Sequence, residues 1–314
     1  MIKVALLMGG PSPEHEVSLK TGAIIAQTLD RTRYDVQEIV IPKNGEWEIP
    51  HGIDVAFIAM HGVYGEDGAV QSLLEEKRIP YTGSGASASA LAMDKLKSLE
   101  VFARNGLNVA PHAVITKIDY EAKREEIVER IKEFGFPCVV KPVQCGSSVG
   151  ISILDNDSGL KKALEQGFAY GPSLLIERYI KGREFTCGVL EENGNPRALP
   201  PTEIIPGEAS FFNYEAKYTP GATREITPPE DVTPDLIEKI QHAALRAHEA
   251  IGCSAMSRTD MIFSDNTLYI LEINTIPGMT ETSLYPQAAA AAGIPFSLLL
   301  DKVINAAFRK TQLS

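Results

Sequence analysis

The chain lacks the spacings that announce several common chemistries. Its cysteines, Cys138, Cys145, Cys187 and Cys253, include no Cys-x-x-Cys pair, which makes a zinc site improbable and fits reduced, buried thiols in a cytoplasmic protein. There is no GxxxxGK[ST] P-loop and no GxGxxG dinucleotide fingerprint. Basic charge is short as well: 30 Lys and Arg stand against 41 Asp and Glu, a net charge of −11. Nucleic acid and anionic membranes are therefore poor partners, although small anions can still bind locally. No apolar run reaches membrane-spanning length, and the stretch Met1–Met8 is too short for a signal segment with its cleavage site. We find no internal repeat, and the one low-complexity tract, alanines 288–292, sits in a helical pattern.

What is present is ordinary for a soluble globular protein: 44% hydrophobic and 23% charged residues, with a mean hydropathy of −0.05. At 314 residues, two or three domains are expected, because single cores stop growing beyond ~250–300 residues. The stretch that organises the rest is a hairpin. Residues 259–263 and 268–274 read as apolar strands joined by Ser264-Asp265-Asn266-Thr267. Side chains alternate faces along a strand, so Glu272 and Asn274 share one face, and a loop of three or four residues sets Asp260 opposite Glu272 or one position off. Three hard oxygen donors of this kind suit Mg²⁺ or Mn²⁺ shared with substrate phosphates. A solvated hairpin with decorative acids is the competing reading, but carboxylates in half-buried strands need a cation or donors. The Pro277-Gly278 turn that follows can aim backbone N–H groups back at the same place.

Earlier in the chain, residues 2–8 form a near-continuous apolar run that ends in Gly9-Gly10, the pattern of a parallel strand buried on both faces. A helix over 17–29 follows. The intervening loop carries Glu14, which is either an electrostatic cap of that helix or a ligand for a substrate ammonium; spacing alone favours the cap. Strands over 36–41 and 55–60 come next. The second ends at His61-Gly62 and Gly65-Glu66-Asp67-Gly68, and two such strand-end loops on one sheet suggest one shared crevice. His61 alone is more often structural, and Asp67 is placed to cap a helix over 69–76.

The first domain ends near Ala92. A helix opens at Asp94-Lys95, then strand 111–115, helix 120–134 and strand 137–142 lead to the small-residue loop 143–150. With Lys141 before it, this loop can cradle a polyphosphate; an ordinary hairpin loop is the alternative. A strand over 173–177 leads to Glu177 and Glu184, which fit the amine and ribose of a heterocycle held between two sheets and equally fit solvated turns. Strands over 185–191 and 197–205 precede residues 207–224, a long loop rich in aromatics. An amphipathic helix spans 234–250, and an Ala-rich helix and one over 295–310 close the chain. Arg258 shares a strand face with Asp260, where it can stabilise developing negative charge.

Eight stretches in chain order carry a resemblance: residues 9–18; His61-Gly62 with residues 65–68; Tyr81-Thr82-Gly83-Ser84-Gly85; Met93-Asp94-Lys95; Gly146-Ser147-Ser148-Val149-Gly150; Tyr214-Glu215-Ala216-Lys217-Tyr218; Arg258-Thr259-Asp260; and residues 272–280. Over its whole length the chain resembles the D-alanine–D-alanine ligases of the ATP-grasp superfamily. The resemblance implies an ATP-grasp fold: a Rossmann-like parallel-sheet domain over 1–92, then central (93–182) and C-terminal (183–314) parts whose sheets sandwich ATP. It implies contacts from Lys95 and Lys141 to the phosphates, from Glu177 to the adenine amine and from Glu184 to the ribose, with Ser148, Tyr179, Ile180 and Lys217 completing the nucleotide-binding set. Asp260, Glu272 and Asn274 would hold two Mg²⁺ or Mn²⁺ ions. Glu14 would bind the first D-alanine's ammonium, reversing the cap reading. Ser147 and Tyr218 would form a set with Glu14 near the second substrate, whose carboxylate Ser283 would receive, and Arg258 with the Gly278 N–H would meet the oxyanion.

Activity, on this resemblance, is ATP-dependent joining of two D-alanines through an acyl phosphate for peptidoglycan precursor synthesis, in the cytoplasm; a homodimer is kept open. The rival readings are a ligase for D-lactate or D-serine, a non-catalytic nucleotide-binding module and a phosphotransferase. Three positions depart from the family's usual pattern: Cys145 where an acid is common, Ser257 where Gly is frequent, and Thr282 where His is common.

Overall fold

A computed structural model describes residues 1–144, 150–206 and 223–312. The N-terminal unit is built from β1 (Ile2–Gly9), α1 (His15–Thr28), β2 (Tyr34–Ile41), β3 (Val55–Ile58), α2 (Ala69–Glu76) and α3 (Ala86–Met93). Its sheet is parallel with strand order β2-β1-β3. The central strand β1 is the continuous apolar run, and residues Val4 to Gly9 are all buried, as a strand covered on both faces requires.

The middle of the chain supplies α4 (Lys95–Arg104), β4 (Asn108–Val109), β5 (His112–Thr116), α5 (Lys117–Ala122), α6 (Arg124–Phe134), β6 (Cys138–Pro142), β7 (Ser152–Leu154), α7 (Leu160–Gly167) and β8 (Ser173–Arg178). Four of these strands make an antiparallel sheet ordered β5-β8-β6-β7. The helix expected over 120–134 is two helices, because Lys123 leaves helical geometry with φ −137° and ψ 45°; neither glycine nor proline marks the break.

The last part contains β9 (Arg183–Glu192), β10 (Asn195–Ala198), β11 (Thr202–Pro206), β12 (Thr223–Ile226), α8 (Pro234–Ile251), β13 (Met256–Ser264), β14 (Thr267–Asn274), α9 (Leu284–Ala291) and α10 (Phe296–Gln312). The large sheet runs β12-β11-β9-β13-β14-β4, with β10 paired to β9. The single strand expected over 197–205 is divided at Pro200-Pro201, where two missing N–H groups interrupt the ladder. Residues 223–224, expected in the long loop, belong to β12.

Apolar packing crosses chain order. Phe102 and Leu99 of α4 share a cluster with Phe185, Ile240 and Met261 of the large sheet and its covering helix α8. Leu300, Val303 and Ile304 of α10 join Leu6, Phe57 and Ile58 of the parallel sheet. The C-terminal helices thus bind the parallel sheet to the large one. Among the described residues no single helix is long and apolar enough to cross a membrane; α9 and α10 reach that composition only as a pair bent by 103°.

Candidate active site

The hairpin β13–β14 turns on two residues, Asp265 and Asn266, both at positive φ (47° and 61°), and Ser264 pairs with Thr267. The loop is thus shorter than the three or four residues expected. On that register Leu271 would face Asp260. Instead the ladder slips between Asp260 and Met261, and Glu272 takes the place opposite Asp260, with Asn274 opposite Arg258. An extra residue in one strand re-aims the side chains beyond it, and here it brings the acids together.

Asp260 is buried and held from several sides. Thr186 of β9, directly across the ladder, donates to Oδ1 at 2.6 Å. Arg258 donates from Nε to Oδ1 at 3.0 Å and from Nη2 to Oδ2 at 2.9 Å, the two-pronged geometry that fits guanidinium to carboxylate. Asn274 Nδ2 lies 3.4 Å from Oδ2. Burial works to lower the Arg258 pKa, yet the charge and hydrogen bonds of Asp260, with Glu272 and Glu66 further off, raise it overall; the guanidinium stays charged. Thr186 carried no assignment in the sequence reading, although its place two residues after Glu184 on one strand puts it on the same face.

A cleft of about 400 Å³ opens between the four-stranded and the large sheets. Lys95, Lys141, Glu177, Tyr179, Ile180, Glu184, Asp260 and Glu272 all line it. Lys95 Nζ pairs with Glu272 at 3.3 Å. Its position follows from how α4 is seated: Asp94 caps the helix by accepting from Lys97 N at 3.1 Å and also receives Gln144 Nε2 at 3.1 Å, while Lys95 N donates to Val143 O at 3.0 Å. Lys141 Nζ lies 2.6 Å from Glu177 Oε2. These two were expected to meet different ends of a nucleotide; here each is the other's partner.

The donor chemistry fits a hard divalent cation: two carboxylates and an amide oxygen, each already neighboured by cationic or polar groups. Among the described residues no group of three or more His, Cys, Asp and Glu offers a metal site, so this set depends on Asn274 for its third oxygen.

The two loops of the parallel sheet do meet. Ser12 Oγ donates to His61 O at 2.7 Å and receives Glu14 N at 3.0 Å. Glu14 stands at the N-cap position of α1 without a side-chain capping bond, so any cap it supplies acts through charge alone. Its carboxylate turns toward Gly62: a Cβ on Gly62 would lie 2.5 Å from Glu14 Oε2. Asp67 does cap α2, but from one residue further out, accepting Ala69 N at 3.0 Å and Tyr64 N at 2.8 Å. His61 is buried, with Nε2 3.2 Å from Thr21 Oγ1. Burial, and then the charge of Arg258, lower its pKa to about 4, so the ring is neutral. Glu66 Oε2 accepts Gly62 N at 2.6 Å. Withdrawal from water, then the negative charge of Glu14, push its carboxyl up to about 8.

Gly278 and Ser283 face one another across the last loop. A Cβ on Gly278 would lie 3.0 Å from Ser283 Oγ, which itself receives Thr280 N at 3.1 Å and sits at the N-terminus of α9. Ser257, on the strand beside Arg258, is buried against His248 Nδ1 at 2.8 Å. Thr282 is exposed, 3.4 Å from Thr280 Oγ1. Cys138, Cys187 and Cys253 are free and buried. Cys145, Ser147, Ser148, Lys217 and Tyr218 lie outside the described residues.

A cleft between a four-stranded antiparallel sheet and a larger mixed sheet, lined by lysines paired with acids, is that of an ATP-grasp type of ligase. Models of the D-Ala–D-Ala ligase N-terminus match residues 3–53 and 48–84, and that of the C-terminus matches residues 101–305. The chain belongs to the D-alanine–D-alanine ligase family. It is 48% identical to the D-alanine–D-alanine ligase of Syntrophobacter fumaroxidans over 98% of this chain and 97% of that one. The crystal structure of D-alanine–D-alanine ligase from Bacillus anthracis complexed with ATP superposes with a TM-score of 0.83 at 33% identity, covering 100% of this chain and 99% of that chain. That of the VanG D-Ala:D-Ser ligase from Enterococcus faecalis gives 0.86 at 29%, covering 98% and 99%.

Proposed function

We propose that the protein joins two D-alanine molecules to D-alanyl-D-alanine at the expense of ATP, releasing ADP and phosphate. The observation that carries this reading is the meeting of Lys95, Lys141, Asp260 and Glu272 around one cleft; the charges of Glu272 and of Arg258, which pairs with Asp260, are felt at Glu66 in a strand-end loop of the parallel sheet. The three-part division 1–92, 93–182 and 183–314 and a cytoplasmic setting belong to the same proposal.

The first substrate binds with its ammonium at Glu14. A carboxylate oxygen then attacks the γ-phosphorus, the bond to the bridging oxygen breaks, ADP leaves, and an acyl phosphate remains. Two anions must meet in this step, and Lys95, Lys141 and Arg258 supply the opposing charge. Asp260, Glu272 and Asn274 would hold two Mg²⁺ or Mn²⁺ ions, which when bound neutralise the triphosphate tail. The second substrate, its carboxylate at Ser283, attacks through a neutral amine that loses a proton as the C–N bond forms. Arg258 and the Gly278 N–H receive the oxyanion before phosphate departs. Glu177, Tyr179, Ile180 and Glu184 hold the base and sugar, and from the family pattern Ser147, Ser148, Lys217 and Tyr218 complete the phosphate loop and the second-substrate side.

The test is to mix purified protein with ATP, Mg²⁺ and D-alanine and follow phosphate and dipeptide, with L-alanine, D-lactate and D-serine as controls. Stoichiometric phosphate and D-alanyl-D-alanine are expected. Equal phosphate release with L-alanine overturns the stereochemical assignment, and preferential use of D-serine or D-lactate as acceptor moves the protein to that branch.

A further inference from the structure

Glu66 belongs to a stretch that marks the family resemblance, yet the reaction as drawn gives it no task. Its surroundings are unusual for a loop acid. Glu14 approaches Gly62 from the α1 side, and Glu66 approaches it from the α2 side, taking its N–H at 2.6 Å. Two carboxyl groups thus converge on one glycine that has no side chain to keep them apart. The other charges that bear on Glu66 are Arg258 and Glu272, and the neighbouring His61 is neutral. A carboxylate has about four acceptor sites, so the bond to Gly62 leaves Glu66 capacity for another donor. Two carboxyl groups so placed resist being charged together, and a compact cation lying between them would let both ionise.

We propose that Glu66 is the second carboxyl of the ammonium subsite, so that the first amino-acid substrate is held through its ammonium by Glu14 and Glu66 together. Both acids then discriminate against hydroxy acids, which bring a carboxylate but no cation. The inference rests on the assignment of Glu14 to the ammonium and extends it to a residue which that assignment does not use.

Glu66→Gln tests it, because the amide oxygen still accepts the Gly62 N–H but the group can no longer ionise against a bound ammonium. The KM for the first D-alanine should rise about tenfold or more, as for a lost charge-assisted hydrogen bond. The KM for ATP and the inhibition constant of D-lactate, which has no ammonium, should stay within about twofold. An unchanged KM for D-alanine, or an equal weakening of D-alanine and D-lactate, reduces Glu66 to a loop pin and overturns the proposal. Glu14→Gln is measured in parallel. If it weakens D-alanine while Glu66→Gln does not, only the present inference falls; if neither does, the ammonium subsite itself is misplaced. Should the amide variant melt early, Glu66→Asp keeps a charge but withdraws it, and the same selective loss against D-alanine is expected.

Discussion

Lys141 and Glu177 are ion-paired at 2.6 Å in the wall of the cleft, with side-chain exposures of 7% and 6%. They sit diagonally across two strands, since Lys141 of β6 faces Leu175 and Glu177 of β8 faces Val139. A nucleotide entering this cleft meets a prearranged charge pair, and each group must keep a partner whether or not the nucleotide is bound.

Breaking that pair should therefore cost stability before it costs activity. Glu177→Ala leaves a buried ammonium without its counter-charge, a change worth roughly 3–5 kcal/mol. The double variant Lys141→Met with Glu177→Leu should recover most of that loss, because two apolar groups have no charge to desolvate, while nucleotide affinity stays lost. Urea denaturation without nucleotide and ATP titration separate the two effects. A single variant as stable as the parent would show that water reaches Lys141 freely.

How much of this was legible in the sequence depends on which physical rule decides each residue. The alternation of side chains placed Asp260, Glu272 and Asn274 on a hairpin face correctly, because period two follows from strand geometry alone. The slip that aligns Asp260 with Glu272 was not legible: it is a tertiary compromise between a two-residue turn and the ladder with β9. Pro200-Pro201 did announce its strand break, had the missing N–H groups been weighed against the apolar run. Lys141 and Glu177 are 36 positions apart by subtraction of their numbers, and their pairing depends on the order β5-β8-β6, which no local pattern encodes. Glu14 was ambiguous for the opposite reason, since its place before a helix suits an electrostatic cap and a ligand for a cation alike.

His61 gives a pH dependence with a definite sign. Its folded pKa of about 4 lies below the ordinary imidazole value of 6.5, so the unfolded chain binds the proton first, and stability attributable to His61 falls as pH drops from 6.5 to 4. The gap corresponds to about 3 kcal/mol at most. Glu66 works oppositely: its carboxyl is raised from 4.5 to about 8, so its contribution is present at low pH and is lost as pH rises through 8. His61→Gln should flatten the loss on the acid side, and Glu66→Gln should gain on the parent more at pH 8 than at pH 5. Denaturation midpoints at several pH values check both. Parallel profiles for parent and His61→Gln would show that the imidazole is already charged in the fold.

Arg258 bridges the two parts of the site, bonded to Asp260 while its own charge is felt at His61 and Glu66. Arg258→Met should lower kcat by about 10²–10³ if the guanidinium meets the developing oxyanion, with a smaller change in the KM for ATP. Lysine should restore little, since a single ammonium cannot reproduce the two bonds to Asp260. Steady-state kinetics with phosphate detection decide it, and a variant within tenfold of the parent kcat would remove Arg258 from the chemical step.

Gly62 is the last point at which conformation and chemistry meet. Its φ is +72°, a region where a Cβ costs ~1–2 kcal/mol, and that Cβ would lie 2.5 Å from Glu14 Oε2 and 3.1 Å from Ser12 Oγ. Gly62→Ala should accordingly lower stability by at least the backbone cost of ~1–2 kcal/mol. It should also displace the Glu14 carboxylate, which the loop can yield more easily than β1 or β3 can move. The two effects are separable: Gly65→Ala, whose Cβ would press within 2.7 Å of Met60 Cβ, should destabilise the same loop without touching Glu14. If the KM for D-alanine rises in Gly62→Ala and not in Gly65→Ala at matched loss of stability, the glycine is there to make room for the acid. An equal rise in both would mean that loop rigidity, and not the position of Glu14, sets substrate affinity.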